Sequence, residues 1–586
     1  MFVPGKLSLS MAAVCLLVSV GSRAQGEPSS AFTDDEKDQI TALRCDKMVQ
    51  SNWGQGSLLD STGADHDEPF FNSYLYSRVG TKAYLGCGAV ALGQVMRYFA
   101  YPHQIELPGF SYKRYFTTQT ISTPDSGDAL TTSTNEVASS GDPRMYDFNS
   151  MPLNPVYGDA PSDSMAALLF DASLIVSSEY IVNVDPAGND TRETKFDPTK
   201  LATALREKFA YSNAFLYVER QPQGERSAFA ESNTINRLIN ANLDARQPVI
   251  IVYQSAKTRD EHVAVVDGYG YVPGVEKPYY HVNFCLGGPA DGWYQLPFFT
   301  PIQNSADNTR FQCCFKNDEQ KIVSAVVYNI SPDKKGEIIT GRSGIKVADD
   351  SLSAGSDALY KLLPYGNVEV SMFDPGNLYN QYDSCITENN GVYVLRSDFE
   401  GTTNVILEAR YMDPVQGPLV AEKRIEVFKN IIDEKDGYIY KVSDKDNIGN
   451  SYGEDLVLEK PKAIVDGIGY ASFERAIAAA HGSASPVPEL KVVDEIEFNS
   501  VEWTIARDMI ISSTNSNPRL TPILRKGSGF VRIAPGVNVT FTNVCFQALG
   551  DRYPAVVVST NAVCTLQGIA DIEVIKVLDD GIWNAL

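Results

Sequence analysis

Cys87 opens an apolar run, YLGCGAVALGQVMRYFAYP, and two later stretches, EHVAVVDGYG and YYHVNF, supply His262 and Asn283. A thiol at a helix start, followed along the chain by a histidine and then an asparagine on strands, can yield a thiolate and a general acid from ordinary side chains, with no metal and no organic cofactor. Gly86 and Gly88 flank the sulfur and leave room for a carbonyl to approach it. The free N–H groups of the first helical turn point at the sulfur, but a helix N-terminus stabilises an anion by only about 0.3–1 kcal/mol. Bringing a thiol from about 8.5 down to 3–4 takes roughly 6–7 kcal/mol. The dipole is too weak, so a cationic histidine must stand close and form an ion pair with the sulfur.

Five histidines are available: His66, His103, His262, His281 and His481. His262 stands where the polar loop SAKTRDE enters the apolar strand VAVVDGYG, a place from which a ring can project off a sheet edge into a cleft. His281 lies two residues before Asn283, so both occupy one strand face. His103 follows the helix-ending Tyr101-Pro102 and reads as structural.

These residues need a scaffold of helices and strands. Val90, Leu92, Val95, Met96 and Phe99 make the Cys87 segment apolar almost all round, which predicts a buried helix to Ala100. Residues 120–145 are Ser/Thr/Asp-rich and read as a surface insertion. Helices are expected near 162–177, 198–209 and 232–244, then strands at Val249–Tyr253, Val263–Asp267, Tyr279–Phe284, Gly292–Leu296 and Ile322–Tyr328. Helices first and strands afterwards predict an α+β domain with an antiparallel sheet over 53–332.

The chain has 586 residues, too many for one core, and a formal net charge of −23. That charge argues against nucleic acid and anionic membranes as partners. Residues 1–24 read as a secretory signal, with Lys6, the apolar stretch Leu9–Val20 and the cleavage site Ser22-Arg23-Ala24. The chain is therefore expected to be secreted or on the cell surface, without membrane insertion. Residues 25–52 read as a short helical segment: Thr33 and Glu36 form a capping box, and Ile40 and Leu43 an apolar stripe. After the signal's Cys15, the eight cysteines show no CxxC pair and no zinc spacing, and are expected to be mostly buried free thiols. Residues 337–430 alternate in strand fashion (VEVSMF, NVILEARYM, KRIEVF) and predict a β-sandwich. Residues 461–586 open with ASFERAIAAA and continue as short strands at loose intervals of roughly twenty residues, the pattern of a right-handed parallel β-helix.

GCGAVALGQVMRYFAYP resembles the nucleophile segment of the streptopain family, secreted bacterial papain-like cysteine peptidases, with Gln94, Val95, Met96, Arg97, Tyr98, Tyr101 and Pro102 in matching places. EHVAVVDGYG is similar to that family's histidine strand, HVNF with GGPADGWYQL to its asparagine strand and hairpin, and SNWGQG to its oxyanion-hole segment. The resemblance covers roughly 50–332. It implies a papain-like fold, Cys87 as nucleophile, His262 as base and then acid, Asn283 as the group orienting the imidazole, and Gln55 with the Cys87 N–H as oxyanion donors. It implies protein or peptide substrates and no cofactor. Phe284-Cys285-Leu286 replaces the family's tryptophan-rich sequence after the asparagine, and Glu261 replaces a glycine before the histidine, which changes the cleft wall. Only residues 25–52 lie between Ala24 and Trp53, enough for one helix as a short propeptide but not for the long inhibitory prosegment of streptopain-type enzymes.

An alternative makes the chain a surface-binding or adhesion protein, its C-terminal β domains holding a host or cell-surface ligand and its peptidase domain secondary or spent. The intact set Gln55, Cys87, His262 and Asn283 favours the enzyme. Acyl transfer is a third outcome of the same fold; Asn283 rather than an aspartate after the histidine favours hydrolysis.

Overall fold

A computed structural model describes residues 40–585 apart from internal stretches, the longer of which are 59–67, 121–130, 185–189, 219–233, 256–260, 303–320, 348–360, 440–455, 514–522 and 549–553. The signal at 1–24 and the capping box at Thr33 and Glu36 lie outside the described residues, as do Cys313 and Cys314.

The first described element is a strand, β1 (Ala42–Cys45). Helices α1 (Ser73–Val79), α2 (Cys87–Phe99) and α3 (Asp163–Ile175) follow, with two hairpins around α3: β2 (Lys113–Thr120) with β3 (Thr131–Ala138), and β4 (Glu179–Val184) with β5 (Asp190–Lys195). β2 and β4 pair in parallel, so the four strands form one sheet in the order β3-β2-β4-β5. A short helix Lys200–Thr203 runs into a π turn Ala204–Lys208. Then come β6 (Asn213–Val218), α4 (Thr234–Asp244), β7 (Val249–Ser255), β8 (Glu261–Tyr271), β9 (Tyr279–Asn283), β10 (Gly292–Gln295), β11 (Thr300–Pro301) and β12 (Lys321–Ser331).

These strands make an eight-stranded sheet in the order β11-β10-β9-β8-β7-β12-β6, with β1 also on β8. All of its pairs are antiparallel. Alternation along β8 sends Val263 and Val265 into a core shared with α2 and α3, and Ala264 and Val266 into a second core shared with α4. The sheet thus lies between helices on both faces. The strands within 113–195 were not expected, because their Thr- and Arg-rich faces carry little apolar alternation.

The helical reading of 25–52 fails over Ala42–Cys45, where the chain is a strand. β7 pairs with β8 only from Glu261 to Val266, and β1 occupies the edge beyond, Ala42 opposite Tyr271. Ile40 packs with Tyr279, Trp293 and Ile302, while Leu43 faces solvent. A partner more than two hundred residues away decides this segment; local propensity does not.

Beyond β12, strands Glu337–Val347, Lys361–Pro364 and Val392–Ser397 form one small sheet, and Glu369–Asp374, Asn377–Ile386, Thr402–Asp413 and Gly417–Phe428 another. Ile339 and Leu395 from the first share a core with Val370, Leu407 and Leu419 from the second. From Glu489 onward the strands stack in three parallel ladders, one of them running Glu489–Val492, Met509–Ser513, Asn538–Thr542, Val563–Gln567 and Ile582–Ala585. Successive register partners along it (Glu489↔Ile510, Met509↔Val539, Asn538↔Val563, Val563↔Ile582) lie 21, 30, 25 and 19 residues apart.

Buried charge pairs join these parts. Asp244 at the end of α4 accepts from Arg342 at 3.2 Å. Arg475, on helix α5 (Phe473–Gly482), donates to both oxygens of Glu408 at 3.0 and 3.1 Å and to the Leu378 carbonyl at 2.6 Å, with its guanidinium 3.6 Å from the Phe373 ring centroid. Among the described residues Cys45, Cys87, Cys285, Cys385, Cys545 and Cys564 are free thiols, buried except for the half-buried Cys385.

Candidate active site

Gly86 precedes α2 at φ +91°, a backbone conformation that L side chains rarely adopt, and it lets the chain turn sharply into the helix with Cys87 as its first residue. A side chain at position 88 would collide with the Phe196 ring, 2.9 Å from where its Cβ would lie, and Thr194 stands 3.0 Å from the equivalent point at Gly86. The end of the β5 hairpin therefore walls one side of the thiol. Cys87 is 6% exposed. Burial pushes its pKa up to about 11, against hydrogen bonds from the N–H groups of Val263, Cys87 and Gly88 that favour the anion.

Val263 follows His262. The β8–β9 register ends at Val265↔Asn283, so the first residues of β8 pair only with β7, His262 opposite Tyr253. That opening between β8 and β9 is where the sulfur meets the Val263 amide. The His262 ring is exposed at the strand end and stacks on Tyr253, ring centroids 5.7 Å apart and planes 28° apart. Phe284 meets the same tyrosine edge-on at 5.9 Å. The structure thus brings sulfur and imidazole to one end of one strand, with the thiol beside the backbone amide that follows the histidine.

Gln55 is held next to the nucleophile through its main chain: its carbonyl accepts from the Leu85 N–H at 3.0 Å, two residues before Cys87. Its half-exposed side-chain amide makes no hydrogen bond among the described residues. The preceding loop touches the turn after β9, where the Gly287 N–H donates to the Trp53 carbonyl at 3.1 Å.

Asn283 is buried, and its amide is fully engaged. It donates to the Ser51 carbonyl at 3.0 Å and to Gln94 Oε1 at 3.2 Å, and it accepts from Gln94 Nε2 at 3.0 Å and the Cys285 N–H at 2.9 Å. None of these bonds goes to an imidazole, so the amide ties the end of β9 to α2 and the Gln55 loop. Gln94 had no assigned role in the sequence beyond its place in the motif. Burying an amide without partners costs roughly 2–7 kcal/mol, so a glutamine inside an apolar helix was itself the signal.

His281, on the same strand as Asn283, lies outside the cleft. It is buried, its Nδ1 2.6 Å from Asp267 Oδ1, with Trp293 edge-on at 5.5 Å. Asp267 also accepts from the Val49 N–H at 2.6 Å, pinning the N-terminal segment. Asp291 accepts from the Phe284 N–H at 2.8 Å, and burial raises its pKa to about 6. His103 forms an isolated bridge with Tyr146.

Residues 66–294 match the model of the Peptidase C10 family, a stretch that encloses Cys87, His262 and Asn283 and begins after Gln55. The resemblance is to the streptopain family. The chain is 26% identical over 260 residues to streptopain of Streptococcus pyogenes, covering 42% of this chain and 56% of the relative. It is 26% identical over 239 residues to the thiol protease/hemagglutinin PrtT of Porphyromonas gingivalis, covering 40% of this chain and 23% of that one. The chain thus spans about half the length of the streptopains it matches. The C10-like stretch contains α2, the open end of β8 and most of the helix–sheet core; β1, β11, β12, the two small sheets after β12 and the parallel ladders lie outside it. Glu261, which stands where the family has glycine, is held above the usual carboxylate range by burial and by Asp197, the residue after Phe196. No described helix is long and apolar enough to cross a membrane.

Proposed function

We propose that the chain is an exported cysteine endopeptidase that hydrolyses peptide bonds of proteins through a covalent thioester. The observation that carries this is the seat of the Cys87 sulfur: the first residue of a buried helix, beside the amide that follows His262, inside a stretch that matches C10 peptidases.

His262 acts as the base. Its ring leaves the Tyr253 face for the sulfur and takes the thiol proton, and the thiolate attacks the scissile carbonyl carbon. The oxyanion of the tetrahedral intermediate is met by the Gln55 side chain and the Cys87 N–H. As the carbon–nitrogen bond breaks, the imidazolium returns its proton to the leaving amine, and a thioester remains on Cys87. Water, deprotonated by His262, then releases the acid product and frees the thiol. Asn283 keeps the end of β9 in register with α2. Two facts support this division of labour: without the imidazole the buried thiol stays protonated near neutrality, and the Gln55 amide is uncommitted among the described residues.

The test is casein and a peptide library offered to the reduced protein and to Cys87→Ala, with cut sites read by mass spectrometry. Cleavage lost in Cys87→Ala supports the assignment; cleavage that survives it removes Cys87 from the mechanism.

A further inference from the structure

Gln94 lies seven residues after Cys87 on α2, two turns along the same face, and is fully buried. Its side-chain oxygen accepts from Ser51 Oγ at 3.2 Å, from the Trp53 N–H at 3.1 Å and from Asn283 Nδ2 at 3.2 Å. Its nitrogen donates to Asn283 Oδ1 at 3.0 Å and to Cys285 Sγ at 3.4 Å. Two of these bonds form a reciprocal amide pair with Asn283. The partners come from separate parts of the chain: the loop that ends in Gln55, the end of β9, and the turn that begins at Cys285.

We propose that Gln94 is the positioning residue of this site, setting where the Gln55 amide and the Asn283–Cys285 turn stand relative to Cys87. The inference rests on the peptidase reading above. Trp53 carries the connection to Gln55, two residues on. Its ring nitrogen is held by the Pro152 carbonyl at 2.7 Å and its own carbonyl accepts from Gly287, and the bond from its N–H to Gln94 is the one that ties this peptide to α2. Gln94 and Cys87 share one rigid helix, and the oxyanion donor is therefore measured from the same body that carries the nucleophile. An amide is the side chain this requires, because it presents an acceptor and a donor side by side. A glutamate would keep the acceptor and lose the donor; a methionine would fill the space with neither.

The test compares full-length wild type with Gln94→Met, Gln94→Glu, Gln55→Ala and the double variant Gln55→Ala/Gln94→Met. It reads kcat, KM and the rate of Cys87 alkylation by iodoacetamide, using a fluorogenic peptide. A donor displaced by about 1 Å costs on the order of 10²-fold in rate, so Gln94→Met should lose that factor in kcat, with KM within about 2-fold. Alkylation should keep its wild-type rate, since thiol ionisation does not pass through Gln94. In the Gln55→Ala background the same substitution should cost less than about 3-fold, because the oxyanion donor it positions is already gone and the Asn283–Cys285 turn supplies no reacting group. Gln94→Glu regains a donor when protonated, so its kcat relative to wild type should rise as pH falls; this arm decides the matter if Gln94→Met does not fold. A full 10²-fold loss in the Gln55→Ala background, alkylation falling with kcat, or a pH-independent Gln94→Glu ratio overturns the assignment while the peptidase reading survives. A folded wild type with an alkylatable Cys87 that cleaves no peptide overturns both.

Discussion

The Val263 N–H, the amide next to His262, lies close enough to the Cys87 sulfur to favour its anion, at the point where β8 and β9 part. Burial holds the thiol near a pKa of about 11 in that seat, so ionisation near neutrality needs the imidazole. In wild type, alkylation of Cys87 should be almost as fast at pH 6 as at pH 8, because the ion pair supplies thiolate below the thiol's own range. In His262→Ala the midpoint should move up toward about 11. A His262→Ala profile that overlays the wild-type one would detach the histidine from the sulfur.

Gln55 should matter for rate and for little else. Removing one oxyanion donor typically costs about 10²–10³ in kcat. Gln55→Ala should show that loss with an unchanged melting temperature, since its side chain supports nothing else among the described residues. Equal losses in stability and rate would make the residue structural.

The pair Arg475–Glu408 fastens α5 to the strand Thr402–Asp413. Arg475→Met should destabilise that part of the protein by about 3–5 kcal/mol, because it strands a buried carboxylate. Arg410, which also contacts Glu408, softens the loss. Arg475→Met/Glu408→Leu should recover to within about 1 kcal/mol of wild type in urea unfolding. A double variant no better than the single would mean that the strength lies in the Leu378 and Phe373 contacts.

Glu422 lies opposite Glu408 in neighbouring strands, and burial raises its pKa from 4.5 to about 7, with Glu408 and Glu474 adding to the effect and the Ser472 hydroxyl and Arg424 opposing it. The folded state holds this proton more tightly than the unfolded one. Its contribution is therefore fully present below pH 4.5 and fades as pH rises through 7, by up to about 3 kcal/mol. Glu422→Gln should match wild type in thermal unfolding at pH 4.5 and exceed it at pH 8. A pH-independent difference would refute the protonation account.

What the sequence disclosed was what neighbours in the chain decide. The apolar girth of Val90–Met96 announces α2, and the β-branched run after His262 announces β8. Gln94 was visible as a letter, but its bonds reach residues 41 to 191 positions away, and no local pattern names them. The strand at Ala42–Cys45 exists because β7 stops short along β8. The parallel ladders left only a faint rhythm, since steps of 21, 30, 25 and 19 residues blur any fixed repeat.

Asp244–Arg342 and Glu408–Arg475 are both shut away from water, with exposures of 7% and 11% in the first pair and 1% and 6% in the second. Dissolved ions screen charges that solvent can reach and leave such pairs nearly untouched. In brine or in dilute buffer, these two fastenings should therefore hold alike, and adding salt should not loosen either of the junctions they close.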